Sequence, residues 1–141
     1  MKIFAQECFT SGIAVKTIFR SNIKKQVSLF AQKHKEIIAV YLFGSIATGR
    51  DKLDSDIDIA IMVNIKVSGL TRIAWETRLS ELIGKDVDLI IFGQSGALLR
   101  HQILKYGKRL YEKDFHARVE QEVRARAEYL DTRCLYQKLA T

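Results

Sequence analysis

The sequence has no proline and only two cysteines among its 141 residues. Without proline the usual helix stop and linker marker are missing, so glycines and polar clusters must set the element boundaries. Cys8 and Cys134 lie almost a full chain length apart without metal-ligand spacing. That argues against a disulfide framework or a cysteine zinc site and fits two reduced thiols. No run approaches the ~20 apolar residues of a membrane span. The opening MKIFAQECFTSG carries Glu7 and lacks a signal-peptide core. The expectation is a cytoplasmic protein with no membrane partner. Internal repeats and low-complexity segments are also absent. His34, His101 and His116 are scattered without ligand spacing or a nucleophile beside them, and they read, like Trp75 and the tyrosines, as structural groups.

What remains suits one globular domain: 48% of the residues are hydrophobic, enough for a single core. The net charge of +7 is uneven, because residues 1–35 hold seven Lys/Arg against one acid while residues 36–112 balance ten against ten. Lysines spaced along a helix are more often a solvated face than a nucleic-acid contact, so direct nucleic-acid binding is not expected.

Ser21 or Asn22 can cap a helix running to about Glu36, which leads into the apolar run IIAVYLF (37–43) ending at Gly44. A loop follows, then DIDIAIMV (56–63), which alternates before it turns apolar, as a strand does when its first residues face an open cleft. Leu70, Ile73, Ala74, Leu82 and Ile83 recur at helical spacing before Gly84, and DVDLIIF (86–92) reads as a third strand. Ala97 to Tyr106 suits a helix closed by Gly107, and KRLYE reads as a short edge strand. Phe115, Val119, Val123, Ala127, Leu130 and Cys134 then form the stripe of a long helix, expected to pack on the sheet with a part left for a partner. The expected class is α/β (α+β), a small mixed sheet flanked by helices with a long C-terminal helix. Its expected divisions are a basic extension at 1–21, a domain at 22–112 and the helix at 113–141.

The chemistry is concentrated in Gly44-Ser45, a ten-residue gap, and Asp56-Ile57-Asp58. The glycine and serine close one strand and the aspartates open the next, so the two ends can converge. Aspartates at i and i+2 of a strand point to one side. Two carboxylates there suit hard Mg²⁺, which takes carboxylate oxygens while keeping waters and phosphates. Gly44 permits close backbone approach to phosphate, and the Ser45 hydroxyl with N–H groups at a helix start can hydrogen-bond it. Either fragment alone is a common turn or a solvated strand end; the linkage of the two makes a nucleotide-transfer site. Arg50 and Lys52 lie in the same loop, either meeting a leaving pyrophosphate or balancing Asp51 and Asp54.

In GSIATGRDKLDSDID the chain resembles the nucleotidyltransferase superfamily related to DNA polymerase beta. The resemblance covers residues from about 22 to 112, without the added domains of larger relatives, and points to the minimal nucleotidyltransferases. It implies a polymerase beta-like fold and two Mg²⁺ ions held by Asp56 and Asp58. It also implies a third carboxylate on a later strand, for which Asp86 and Asp88 are the candidates. Asp88, followed at once by Leu89, Ile90 and Ile91, is preferred over Asp86 near the Gly84-Lys85 turn. The ending LLRHQILKYGKRLYEKD, with Gly107, Leu110, Tyr111 and Asp114, is similar to that of the antitoxins paired with HEPN-domain ribonuclease toxins. Those transfer AMP from ATP to a tyrosine of the toxin, which makes a cognate HEPN toxin the implied partner, in a homo- or hetero-oligomer. The alternatives are a non-catalytic binding module, or a transferase acting on a small molecule or RNA.

Overall fold

In the computed structural model, residues 12–49 and 56–140 are described. The helix expected from Ser21 instead begins at Gly12: α1 spans Gly12–Gln32 and passes through Ser21 and Asn22. The helical period simply extends backward, since Phe19 packs on the same core as Ile23, Val27, Phe30 and Ala31, and no breaker intervenes at Ser21. Its end comes before Glu36, in a tight turn where the Lys33 and His34 N–H groups donate to the Phe30 and Ala31 carbonyls.

Strand β1 (Ile37–Phe43) follows, then a short helix α2 (Gly44–Thr48) where a loop was expected. Burial explains the difference: Ile46 and Ala47 are 1% and 4% exposed, so this segment belongs to the core. Next come β2 (Ile57–Val63), α3 (Gly69–Ile83), β3 (Val87–Ile91), a 3₁₀ turn (Phe92–Gln94), α4 (Ala97–Tyr106), β4 (Lys108–Glu112) and α5 (Phe115–Ala140). Gly84 closes α3 in the left-handed conformation (φ 80°), as its place after Ile83 suggests.

The sheet order is β3-β2-β1-β4, with β1 antiparallel to β2 and β4, and β2 parallel to β3. The expected mixed sheet flanked by helices is therefore what the chain forms, with KRLYE as an edge strand. Alternation sorts β2 cleanly. Ile57, Ile59 and Ile61 face a core built with α1 and α3, whereas Ala60 and Met62 face a second core with Phe92, Ile103 and Ala125 from the α4 and α5 side. Trp75 packs against the touching rings of Phe30 and His34 where α3 meets α1, a structural role.

The long C-terminal helix corrects an expectation. Phe115, Val123 and Leu130 are each more than half exposed and Cys134 is exposed, so the apolar stripe does not pack on the sheet. The inward face is Arg118, Glu122 and Ala125 instead. A polar network fixes this rotation: Tyr41 donates to Glu122, and Arg118 donates to Glu122 (2.7 Å) and to Glu112 at the end of β4. Once one buried charge is seated with its partners, the helix cannot turn to bury the stripe without leaving that charge unpaired.

Candidate active site

Parity along β2 places Asp58 on the Ala60–Met62 face, and Asp56 precedes it by two residues on the same side. In the parallel ladder Asp58 pairs directly with Asp88 of β3. The preferred third acid therefore lies on the neighbouring strand at the same level, between the inward-facing Val87 and Leu89. Asp86 falls just before β3, where its carbonyl accepts from the Ile57 N–H at 2.9 Å and holds the starts of the two strands in register.

On its other side Asp58 faces the end of β1, paired with Phe43. There the chain turns through Gly44 with φ 75° and enters α2. A Cβ built on Gly44 would lie 2.0 Å from Asp58 Oδ2. Glycine is thus required twice, for the left-handed backbone and for the approach of the carboxylate. The Gly-Ser turn and the second aspartate of Asp-x-Asp are in this way one packed unit.

The acids repel one another. The Asp58 carboxyl is raised above its ordinary pKa by burial first, then by the negative charges of Asp88 and Asp56. Among the described residues, no ion pair engages any of the three. Nor do any three His, Cys, Asp or Glu side chains of the described residues already stand close enough to hold an ion. Residues i and i+2 of a strand are about 6.5–7 Å apart, so the coupling acts over longer distances than ligation. Uncompensated oxygen donors on one face are the donor chemistry that hard divalent cations take, so these residues fit Mg²⁺.

Several supports were not legible beforehand. As an edge strand, β3 would expose its outer backbone groups, but α3 covers them with side chains. The Leu89 N–H donates to Glu76 Oε2 (2.9 Å), Arg72 Nη1 donates to the Leu89 carbonyl (3.0 Å), and the Val87 N–H donates to Ser80 Oγ (3.1 Å). These bonds bracket Asp88 on both sides. Behind α2, Arg20 Nη2 donates to the Ile46 carbonyl at 2.7 Å, tying α1 to the Gly-Ser helix. A helix-surface pattern gives no sign of such long-range side-chain-to-backbone bonds.

Arg50 and Lys52 lie outside the described residues. His34, His101 and His116 are engaged elsewhere: His34 with Phe30, Trp75 and Glu36, His101 with Tyr129, and His116 with Phe115.

Residues 25–116 match the family described as Polymerase beta, Nucleotidyltransferase. The protein adenylyltransferase MntA of Shewanella oneidensis is 29% identical over 90 residues, which span 64% of this chain and 65% of that relative. The match thus spans just under two thirds of the relative's length. A chain of a toxin–antitoxin crystal structure with AMP-PNP superposes with a TM-score of 0.74 at 22% identity, covering 83% of this chain and 94% of that one. A chain of the tri-AMPylated Shewanella oneidensis HEPN toxin in complex with MNT antitoxin gives 0.70 at 22% identity, covering 86% and 95%. At such identity these structures carry the fold alone.

Proposed function

The chain belongs to the polymerase beta nucleotidyltransferase family, and we propose that it transfers AMP from ATP, with two Mg²⁺ ions, to a tyrosine hydroxyl of a cognate HEPN-domain toxin, thereby acting as its antitoxin. The observation that carries the reading is the lateral pair Asp58–Asp88 with Asp56 on the same face and the Gly44 backbone packed against Asp58. The likeness to an adenylyltransferase of Shewanella oneidensis, and to a chain of the complex between a tri-AMPylated HEPN toxin and its MNT antitoxin, supports AMP transfer and a toxin partner.

In this reading Asp56 and Asp58 would hold the ions with Asp88 as the third carboxylate. Bound there, the ions would supply charge neutralisation on the phosphate oxygens and a lowered pKa for the acceptor hydroxyl. Gly44 and Ser45 bind the β- and γ-phosphates, with Arg50 and Lys52 meeting the leaving group. The acceptor oxygen bonds to the α-phosphorus, the bond to the β-phosphate bridge breaks, and pyrophosphate leaves. Asp88 takes the hydroxyl proton. Residues 22–112 carry this chemistry, and the helix at 113–141 serves the partner. An adenylyl group adds bulk and negative charge near a ribonuclease site that must itself accept phosphate, so modification blocks RNA there.

The test is incubation with α-labelled ATP and Mg²⁺, with and without the product of the neighbouring gene, and with Asp58→Asn as control. Label entering the partner with the wild-type chain alone is expected. Absence of label with every NTP, while the partner is still bound and inhibited, overturns the enzymatic reading in favour of contact alone.

A further inference from the structure

We propose that the cleft between α4 and the C-terminal half of α5 is a docking groove for an amphipathic helix of a partner protein, one with a leucine-type apolar face and an acidic flank. The inference rests on the reading above that the helix at 113–141 serves the partner, and not on the transfer chemistry.

Two cavities, of about 370 Å³ and 760 Å³, adjoin at Tyr129 and Arg133, which line both. The smaller is walled by His101, Lys105, Arg126 and Arg133, and among the described residues no acid lines either volume. The larger is apolar, walled by Ala97, Leu98, Leu99 and Tyr136, with Arg133 at the boundary. A groove of ~300–1,000 Å³ with few, localised polar groups is the shape that recognition sites take.

The walls are set before any partner arrives. Arg100 and Glu128 form an ion pair across the two helices, and the His101 and Tyr129 rings stack with centroids 3.6 Å apart and planes 4° from parallel. A preformed groove loses little ordering entropy on binding. Beyond the crossing, every residue of α5 from Arg133 to Ala140 is exposed, including Leu135, Tyr136 and Leu139. Of these, Tyr136 lines the larger volume together with Leu98, which is 60% exposed. Apolar side chains gathered on one overhanging helix end mark an interaction surface.

Charge and its placement select the occupant. Lys105 and Arg126 border only the small volume and Arg133 stands between the two, so a nucleic-acid strand would find its phosphates neutralised in the small volume and faced by leucines in the rest of the large one. Tyr129, which could stack a base, is already covered by His101. A helix laid in the cleft instead buries apolar residues at i, i+3, i+4 and i+7 against Leu98, Leu99 and Tyr136, and presents carboxylates to Lys105 and Arg133, Arg126 being already paired with Glu122 at 3.8 Å.

The probe is a fluorescein-labelled 18-residue helical peptide with leucines at that spacing and glutamates along one flank, titrated by anisotropy against the full chain. Lys105→Glu with Arg133→Glu is expected to weaken it about tenfold or more, and exchange of the peptide glutamates for lysine restores binding to that variant. Leu98→Asp weakens both peptides, while circular dichroism shows each variant folded. No binding to the wild-type chain, equal affinity for the charge-reversed variant, or tighter binding of a 15-nucleotide oligouridylate each overturns the proposal.

Discussion

A methyl group on Gly44 would stand 2.0 Å from Oδ2 of Asp58, so the turn that closes β1 and the acid that opens the cleft cannot be altered independently. The motif glycine is held by the carboxylate beside it as much as by any phosphate it would meet.

Gly44→Ala therefore carries two effects. The left-handed backbone at φ 75° costs an L-residue about 1–2 kcal/mol, and the new methyl displaces the Asp58 carboxylate. Gly49→Ala is the matched comparison. Its φ of 78° carries the same backbone cost, but its nearest neighbour is Arg20 Nη2 at 3.8 Å. Both variants are expected to lose stability by urea unfolding, Gly44→Ala the more, with nucleotide transfer abolished only in Gly44→Ala.

Asp58→Asn should raise the melting temperature of the metal-free protein at neutral pH. The folded-state pKa of Asp58 is raised by burial and by Asp88 and Asp56, so the folded chain holds this proton more tightly than the unfolded one. The resulting stability is present below the ordinary carboxylate pKa and is lost as pH climbs through the folded-state value. Removing the charge removes that loss. Mg²⁺ should stabilise the wild type through binding to the folded state, and this increment should vanish in Asp58→Asn. Scanning calorimetry with EDTA and with Mg²⁺ at pH 5 and pH 8 checks both.

The edge of β3 gives a third expectation. Glu76→Ala leaves the Leu89 N–H without its acceptor, which costs about 1–3 kcal/mol for a group removed from water. Glu76→Gln keeps an acceptor oxygen and loses less. Urea unfolding separates the two, and the larger loss in the alanine variant should be accompanied by weaker Mg²⁺ binding, because Asp88 lies between the clamped residues.

At the other edge, Arg118→Ala leaves the buried Glu122 with Tyr41 and only the more distant Arg126 guanidinium (3.8 Å), and releases Glu112; breaking a buried pair costs up to about 3–5 kcal/mol. Tyr41→Phe removes a single hydrogen bond, worth about 1 kcal/mol, because Glu122 keeps Arg118. The Tyr41 hydroxyl, pushed above its ordinary pKa by burial and then by Glu122, stays protonated and donating through neutral pH. Unfolding free energies of the two variants should differ in this order.

Much of this architecture is legible from local pattern. The four strands fall on IIAVYLF, DIDIAIMV, DVDLIIF and KRLYE within a residue or so, because apolar runs between glycines and polar clusters are local signals. Asp88 could be preferred over Asp86 from its place inside a strand, and the ladder puts it beside Asp58. Other features depend on contacts distant in sequence. The rotation of α5 is decided by Tyr41 and Glu112, some 80 and 10 residues from Glu122, against its own apolar stripe. Gly107 reads as a helix stop, yet its φ is ordinary at −74°; the glycine is needed because a Cβ would lie 2.4 Å from the Ile103 carbonyl and 3.2 Å from that of Leu42.

The most direct test of the carboxylate assignment is a crystal of the protein grown with Mn²⁺ and a non-hydrolysable ATP analogue, with anomalous data at the manganese edge. The account predicts anomalous density between Asp56 and Asp58, with Asp88 facing the same site and triphosphate oxygens over the Gly44-Ser45 turn. Nucleotide and manganese bound away from this end of the sheet, with the three acids left to solvent, would contradict it.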